Sequence, residues 1–289
     1  MTEPDATLKL ALPKGRMQDG VRDLLAGAGM HLVTSARSYR PRIDQPGFSV
    51  KTLKPASVVE MLHAGSRDLG FAGADWVAEK NAELAELLDT GLDPVRLVAA
   101  APEELLENGK LPSRPLAVAS EYEQLTRAWL AQRRMGDSYV RAYGATEVFP
   151  PEDADCIVDN TATGATLEAN GLRIVAELMR SSTRLYAASA AMRNPAKRER
   201  IEDFVRLVRS VLEARQRVMV EVNVPSESLA ALVALLPSMR RPTVARLYGI
   251  DGFAVKAAIP RATLPSLIPR IRAAGGSDIV VSKLEQILV

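Results

Sequence analysis

One stretch near the middle of the chain, Ala154–Gly171, places the strongest limits on the fold. Its apolar run Cys156–Val158 lies between two acids, Asp155 and Asp159, and predicts a buried strand that ends at a carboxylate. Threonines interleaved with small residues follow, and helix formers begin at Leu167. A strand, a small polar loop and a helix start in this order are typical of an α/β fold.

The loop Thr161–Thr166 has the parts of a phosphate site. Backbone N–H groups are free at a helix N-terminus, hydroxyl groups lie beside them, and the small residues leave room for a phosphate. Asp159, just before the loop, can accept hydrogen bonds from the hydroxyls of a ribose attached to that phosphate. Together these features suggest a sugar phosphate. The alternative is an ordinary strand-to-helix turn in which Thr161 or Thr163 is a simple N-cap.

Composition narrows the class of protein. The chain has 289 residues, enough for two or three domains, and its apolar content of 47% supports ordinary buried cores. Its net charge of +2 and its aromatic content of 4% argue against a nucleic-acid binder. With only His31 and His63, a histidine-built metal site would need both residues to converge.

Targeting signals are not expected. The N-terminus has no basic start followed by an apolar run, and no window approaches the roughly 18 apolar residues of a membrane span. The single cysteine, Cys156, excludes an intramolecular disulfide and a cysteine-rich zinc site. We therefore expect no membrane association and a cytoplasmic location.

Two further loops carry candidate binding residues. Lys14, Gly15 and Arg16 follow a predicted strand, and two cations beside a glycine can bind a polyanion. On these residues alone, solvated surface charges beside a turn are the more common meaning of this pattern. The segment Gly73–Asp75 follows a second predicted strand, Asp68–Ala72. Loops that follow parallel strands gather at one edge of a sheet, so these two loops and Lys54 are expected to face one cleft.

The order of the elements predicts two lobes. The polar stretch Glu103–Arg114 is linker-like, and a new α/β unit follows it. Two strand-like runs then appear, Arg173–Met179 and Thr183–Ala188, with Arg180–Ser182 between them, and the second run is expected to return to the first lobe. A chain that crosses to a second lobe and back is the layout of bilobal binding-protein folds, in which the ligand lies between the lobes.

The last part of the chain has a different pattern. From Val218 onward, strands and helices are predicted in the order βαββαβ, which is the ferredoxin-like arrangement. A small appended domain of this kind is more often a regulatory or assembly module than a catalytic one.

Several motifs resemble one family along nearly the whole chain. The run Gly164–Leu172 is similar to the signature of ATP phosphoribosyltransferase, the first enzyme of histidine biosynthesis. The segments Ala11–Arg16, Asp68–Asp75 and Arg241–Thr243 also fit that family, and Asp159–Thr166 resembles a phosphoribosyl-pyrophosphate loop. The sequence is therefore identified as a member of this family in its long form.

The resemblance implies a fold and a domain division. The fold is α/β, with a bilobal periplasmic-binding-protein-like catalytic core and a C-terminal ferredoxin-like regulatory domain that binds histidine. Residues 1–102 and 183–217 would form the first lobe, 103–182 the second lobe with the phosphoribosyl-pyrophosphate loop, and 218–289 the regulatory domain. Homodimers that assemble into hexamers are expected.

The resemblance also implies a reaction and its site. The enzyme, a glycosyltransferase of the pentosyltransferase class, transfers the phosphoribosyl group to N1 of ATP and releases pyrophosphate, with Mg²⁺ as cofactor and no assigned protein ligands for it. The loop expected to bind phosphoribosyl pyrophosphate comprises Asp159, Asn160, Thr161, Ala162, Thr163, Gly164, Ala165 and Thr166. The residues expected to bind ATP are Lys14, Gly15, Arg16, Gly73, Ala74 and Asp75. The catalytic residues would be Arg16, Glu147 and Asp159, and the histidine contacts Asn223 and Thr243.

The sequence differs from the family pattern at two places. The chain has Lys54-Pro-Ala-Ser57 where many relatives have an Arg and an Asp, and Asn160 where phosphoribosyltransferases often have a second acid. Glu147 is equally consistent with a surface glutamate at a helix start. The competing functions are a non-catalytic binding protein that closes on a small anion, and a phosphoribosyltransferase that uses a base other than ATP.

Overall fold

The computed structural model describes residues 7–33 and 40–288. This part of the chain divides into two compact units. The first unit draws on Met1–Asp23 and Met30–Glu202, and the second on Leu24–Gly29 and Asp203–Val289.

The first unit holds ten strands among the described residues, together with their connecting helices. Two of these helices, the first and the last, contribute residues to both units. In chain order the elements are β1 (Leu8–Pro13), α1 (Met17–Gly27), β2 (Leu32–Val33), β3 (Arg42–Ile43), β4 (Phe48–Leu53), α2 (Pro55–His63), β5 (Leu69–Gly73), α3 (Ala74–Glu79), β6 (Leu84–Pro102), β7 (Ala117–Ser120), α4 (Glu123–Arg133), β8 (Ser138–Arg141), β9 (Cys156–Thr161), α5 (Ala165–Ala169), β10 (Leu172–Ala188), α6 (Ser189–Arg193) and α7 (Pro195–Arg215).

Two long antiparallel strands, β6 and β10, connect two lobes within this unit. The eight-stranded sheet has the order β4-β1-β5-β10-β6-β9-β7-β8. Strand β5 pairs with β10 from Thr183 to Ala187, and β9 pairs with β6 from Arg96 to Ala100. Each long strand therefore ends in a different lobe, one built around β1, β4 and β5 and the other around β7, β8 and β9. The predicted crossing to a second lobe and back is made by these two strands.

The sequence pattern predicts two strands where the structure has the single strand β10. The predicted connector Arg180–Ser182 lies inside this strand, which is 17 residues long. Shifts of register against β6 accommodate the polar residues, and Ser181 and Thr183 are buried. Ser181 and Thr183 are polar because they form hydrogen bonds inside the protein, whereas Arg180 is exposed to solvent.

Apolar periodicity explains why these elements form. In β1, Leu8, Leu10 and Leu12 are buried. In β9 the run Cys156–Val158 is fully buried because both faces of the sheet are covered there: Cys156 and Val158 lie in one apolar cluster and Ile157 lies in another. Burying each such side chain contributes about 1.5–3 kcal/mol. The core of the second lobe forms where β9 packs with β6 and β7.

The second unit contains a four-stranded antiparallel sheet with the order β12-β13-β11-β14. Its elements are β11 (Arg217–Pro225), α8 (Leu229–Leu235), β12 (Thr243–Arg246), β13 (Gly252–Pro260), α9 (Leu264–Ala273) and β14 (Ser277–Lys283). Alternate valines of β11, from Val218 to Val224, face the core together with Leu232 and Ile271 from the two helices. The predicted βαββαβ arrangement is present in this unit. The domain boundaries given above stay a prediction.

Candidate active site

A cavity of about 300 Å³ lies between the two lobes of the first unit. Residues from both lobes line it, and they include several of the predicted site residues. The lining residues are Lys14, Arg16, Met17, Pro55, Gly73, Asp75, Trp76, Asp93, Val95, Asn160, Ser181, Ser182 and Thr183. We call this cavity the interlobe cleft.

The cations of the cleft come from the short turn between β1 and α1. Gly15 has a φ of +80°, a left-handed conformation that glycine adopts without strain, and the Lys14 N–H donates to the Leu53 carbonyl at 2.8 Å. Arg16 is exposed just before α1 begins. The turn therefore holds two positive charges at the cleft, as a site for phosphorylated ligands requires.

Asp75 sits at the start of α3, but its carboxylate is already fully engaged. Ser181 donates to Oδ1 at 2.8 Å, and the Tyr122 hydroxyl donates to Oδ2 at 2.7 Å. Asp75 is only 4% exposed, whereas Ala74 next to it is half-buried and does not line the cleft. Asp75 therefore joins the lobes rather than offering a free acceptor to a ligand.

Asn160 lies where the β9 strand meets the cleft. Its side-chain amide donates to the Tyr122 hydroxyl at 2.7 Å, so the tyrosine accepts from one predicted site residue and donates to another. Burial and the nearby Asp75 raise the pKa of Tyr122, which keeps the phenol protonated. Trp76 stacks on the same ring with centroids 4.6 Å apart.

Asp159, the predicted ribose acid, is partly buried beside a second acidic residue. Thr146 donates a hydrogen bond to one carboxylate oxygen, and the Asn160 N–H donates to the other at 2.6 Å. Burial raises the pKa of Asp159, these two hydrogen bonds oppose the shift, and the charges of Glu121 and Glu147 add to it. Glu147 follows Thr146 directly, so both predicted acids lie at the same end of the second lobe.

The predicted phosphate loop is shaped by its own hydroxyl groups. Thr161 Oγ1 accepts from the Gly164 N–H at 2.9 Å, and Thr163 Oγ1 accepts from the Ala165 N–H at 3.3 Å. Gly164 has a φ of +91° and precedes α5. Three further loop side chains are exposed to solvent: those of Ala162, Ala165 and Thr166.

The loop opens onto a different cavity from the cleft. Thr163 and Gly164 line a space of about 600 Å³ together with Glu168 and Arg173. Asn160, a few residues earlier, lines the interlobe cleft. The structure therefore brings Lys14, Arg16, Gly73 and Asp75 together with one end of the predicted loop, and the other end lies in the neighbouring space.

The predicted effector residues of the second unit are not in one place. Thr243 lines a cavity of about 200 Å³ with Arg240, Arg241 and Lys256, whereas Asn223 does not line it. The Asn223 amide donates instead to Asp278 at 3.1 Å. The two residues lie on β12 and β11, which are not neighbours in the sheet.

Sequence reasoning missed five polar residues of the cleft region: Tyr122, Asp93, Ser181, Ser182 and Thr183. The spacing of Tyr122, Leu125, Trp129 and Leu130 predicts the apolar face of a helix. The two serines lie in the predicted strand connection, and the threonine lies at its edge. A signal was available for the serines and the threonine, because polar residues inside a long strand indicate buried hydrogen bonds or a bulge.

Neither a metal cluster nor a membrane-spanning helix is present in the described part of the chain. Within residues 7–33 and 40–288, no group of three or more His, Cys, Asp and Glu side chains is placed to hold a metal ion. Over the same residues, no helix has the length and apolar character needed to cross a membrane.

The fold and the cleft define a class: a two-lobed α/β protein with cations in the cleft between its lobes and a hydroxyl-rich loop that begins at that cleft, followed by a ferredoxin-like module. Comparison with known proteins narrows this class to one family. The sequence model described as ATP phosphoribosyltransferase matches residues 54–210, and the model of the C-terminal domain of that family matches residues 214–286.

Individual relatives agree. The chain is 33% identical over its full length to the whole ATP phosphoribosyltransferase of Chlorobium chlorochromatii. It is 32% identical to that of Pelotomaculum thermopropionicum, over 97% of this chain and 99% of the relative. A solved ATP phosphoribosyl transferase (HisG:HisZ) complex from Thermotoga maritima contains a chain that is 26% identical, with a TM-score of 0.64, over 72% of this chain and 99% of that chain.

The chain therefore belongs to the ATP phosphoribosyltransferase family, whose activity is the first step of histidine biosynthesis. The predicted enzyme class, a pentosyltransferase, and the predicted fold, a two-lobed core with a ferredoxin-like C-terminal domain, are confirmed.

Proposed function

We propose that the interlobe cleft is where this chain transfers the phosphoribosyl group from phosphoribosyl pyrophosphate to N1 of ATP. The observation that carries the proposal is that Lys14, Arg16 and Asn160 line the same cavity. Asn160 directly follows Asp159 in the chain. Cations for polyphosphate groups and the start of the sugar-phosphate loop thus share one cavity. Family membership supplies the reaction, and this arrangement supplies a place for both substrates.

The reaction needs charge stabilisation more than it needs a covalent intermediate. As the bond from ribose C1 to pyrophosphate lengthens, C1 gains positive character and the leaving group gains negative charge. Asp159 and Glu147 face the first of these charges, and Lys14 and Arg16 face the second. Holding both substrates in line lowers the barrier further, because two molecules no longer need to meet in solution.

The loop residues divide the binding of the sugar phosphate. Asp159 accepts from the ribose hydroxyls, and the segment Asn160–Thr166 surrounds the 5′-phosphate with its threonine hydroxyls and with N–H groups other than those of Gly164 and Ala165, which donate to Thr161 and Thr163. Each charge-assisted hydrogen bond contributes about 1.5–3 kcal/mol. Gly73 leaves room for the nucleotide, and Asp75 acts through Tyr122 and Ser181. Gly15 and Ala74, which do not line the cleft, stay predictions as ATP contacts.

Magnesium is the proposed cofactor. Mg²⁺ is commonly held by one or two carboxylates together with substrate phosphates. A site that offers fewer than three protein side-chain ligands can therefore still bind Mg²⁺. Thr146, the residue before Glu147, donates a hydrogen bond to the Asp159 carboxylate, so the two acids lie at the same end of the second lobe and are the carboxylates that would hold the ion. The metal would neutralise charge on the leaving pyrophosphate.

We further propose regulation by histidine through the second unit, assembly of identical chains into dimers and hexamers, and a cytoplasmic location. Matching of the C-terminal family domain over residues 214–286 supports the first of these. Thr243 with its cationic cavity is the better supported effector residue, and Asn223 stays a prediction.

A coupled assay tests the reaction. Purified chain is mixed with Mg²⁺, ATP and phosphoribosyl pyrophosphate, and both pyrophosphate and phosphoribosyl-ATP are measured with and without histidine. We expect stoichiometric formation of the two products and a lower rate with histidine. Pyrophosphate release that requires a base other than ATP, or no release at all, would contradict the proposed reaction.

A further inference from the structure

Asp93 occupies a strained position at the edge of the interlobe cleft. Its φ is +48°, a left-handed conformation that costs a non-glycine residue roughly 1 kcal/mol. Asp93 and Pro94 together face the single residue Ser182, because Val95 pairs with Ser181 and Leu92 pairs with Thr183. This two-against-one arrangement is a β-bulge, which turns a side chain away from its regular direction. Here the turned side chain lines the cleft.

The carboxylate of Asp93 is fixed on one side and open on the other. Thr183 donates from Oγ1 to Asp93 Oδ2 at 3.0 Å, and Thr183 is itself buried and paired with Thr90 through its carbonyl. Among the described residues, no hydrogen bond reaches Asp93 Oδ1. A fixed carboxylate with one free oxygen is a pre-positioned hydrogen-bond acceptor.

Of the carboxylates that line the cleft in the described part of the chain, no other is open in this way. Asp75 is the second carboxylate among those lining residues, and Ser181 and Tyr122 occupy its two oxygens. The remaining charges of the described cleft lining are the cations Lys14 and Arg16, which attract phosphate groups. Asp93 repels phosphates, so a neutral donor group of a substrate is its natural partner.

We propose that Asp93 is a specificity-determining residue that accepts a hydrogen bond from the 6-amino group of the ATP adenine. The inference rests on the proposed function, because it assumes that ATP reacts in this cleft. The sugar hydroxyls of phosphoribosyl pyrophosphate have Asp159 as their acceptor. Of the neutral donors on ATP, we assign the 6-amino group to Asp93 rather than a ribose hydroxyl, because only the amino group is conjugated with the reacting N1.

The contact also assists the chemistry. When the N1 lone pair forms its bond to ribose C1, the bond from C1 to pyrophosphate breaks and pyrophosphate leaves with the electron pair. The adenine then carries positive charge that is shared between N1 and the 6-amino nitrogen. A carboxylate beside that amino group stabilises the charge and makes N1 a better nucleophile.

Two substitutions separate this role from a structural one. Asn tolerates the left-handed conformation and Gly adopts it freely, so neither Asp93→Asn nor Asp93→Gly requires the backbone to move. We expect kcat/KM for ATP to fall about 10- to 100-fold in both variants, with the KM for phosphoribosyl pyrophosphate little changed. Asp93→Gly should keep the melting temperature of the parent, because it relieves strain while losing one hydrogen bond.

Binding of a purine riboside triphosphate, which lacks the 6-amino group, identifies the atom that is recognised. By calorimetry the parent chain should bind ATP at least about 10-fold more tightly than this analogue, and Asp93→Gly should bind the two equally. The control Asp23→Asn removes the same charge from an exposed side chain of α1 and should keep the parent preference.

The outcomes separate the two proposals. If the parent forms no phosphoribosyl-ATP, the proposed function fails. If the parent is active but Asp93→Gly still prefers ATP over the analogue, the role of Asp93 is wrong. Equal binding of ATP and the analogue by the parent chain overturns it as well.

Discussion

The Tyr122 hydroxyl donates to Asp75 Oδ2 at 2.7 Å and ties the start of α3 in one lobe to the start of α4 in the other. The same hydroxyl accepts from the Asn160 amide at 2.7 Å. A phenol has one hydrogen to donate, and here it is committed to Asp75. Residue 160 must therefore supply a donor, which explains why this chain has an amide where related transferases often have a second acid.

Asn160→Asp should therefore destabilise the protein. The ionised carboxylate that this substitution introduces could only accept, and two carboxylates would compete for the single Tyr122 hydrogen. We expect the free energy of unfolding to fall by about 1–3 kcal/mol near neutral pH, measured by urea denaturation. The loss should shrink at low pH, where the new carboxyl is protonated and can donate.

A double-mutant cycle with Tyr122→Phe measures how much of this loss depends on the Tyr122 hydroxyl. Without the hydroxyl there is nothing for the two acids to share, so Asn160→Asp should cost much less in the Tyr122→Phe background. Equal costs in both backgrounds would show that the amide stabilises the protein by another route.

Glu79 makes a second connection between the lobes, at the N-terminus of α4. Its two carboxylate oxygens accept from the Gln124 and Leu125 N–H groups, each at 3.1 Å, and its charge is favourable beside a helix N-terminus. Glu79→Gln keeps the shape but leaves one oxygen for two donors. We expect a loss of about 1 kcal/mol in thermal or urea unfolding. The exposed Glu83, changed to Gln, is the matched control and should be neutral.

Much of this architecture followed from pattern, and the connections across the cleft did not. Apolar runs such as Cys156–Val158 predicted the positions of the strands, because apolar residue types indicate which positions are buried. The bonds of Tyr122 and Glu79 join residues far apart in sequence, at separations of 47 and 45. No local periodicity encodes them. The position of Asp93 at the cleft could not be predicted either, because it depends on a bulge that forms when β6 pairs with β10.

Thr161 and Thr163 should respond differently to substitution by valine. Thr161 is buried and its hydroxyl accepts from the Gly164 N–H, so Thr161→Val should lower stability by about 1 kcal/mol and also weaken binding of phosphoribosyl pyrophosphate. Thr163 is exposed, so Thr163→Val should raise the KM for that substrate and leave the melting temperature unchanged. Steady-state kinetics and calorimetry test both; an unchanged KM for Thr163→Val would contradict the loop assignment.

Asp159 should give the reaction an acidic limb in its pH profile. Burial raises the pKa of this carboxyl, so ionisation is completed above the ordinary value of about 3.9. Because only the carboxylate accepts from both ribose hydroxyls, kcat/KM for phosphoribosyl pyrophosphate should fall as the pH drops through the raised pKa. Asp159→Asn should remove this limb along with most of the activity.

The hydrogen bond from Thr146 provides the directional test of that assignment. It lowers the pKa of Asp159 against the effect of burial, so Thr146→Val should raise this pKa and move the acidic limb to higher pH. Stability follows the same sign. A carboxyl whose pKa is raised by folding contributes stability below its unfolded pKa, and this stability is lost as the pH rises through the folded pKa. The Thr146 hydrogen bond stabilises the ionised carboxylate and so reduces that loss. Thr146→Val should therefore lower the free energy of unfolding more at about pH 8 than at about pH 5. A limb that stays in place in this variant would mean that a group other than Asp159 titrates.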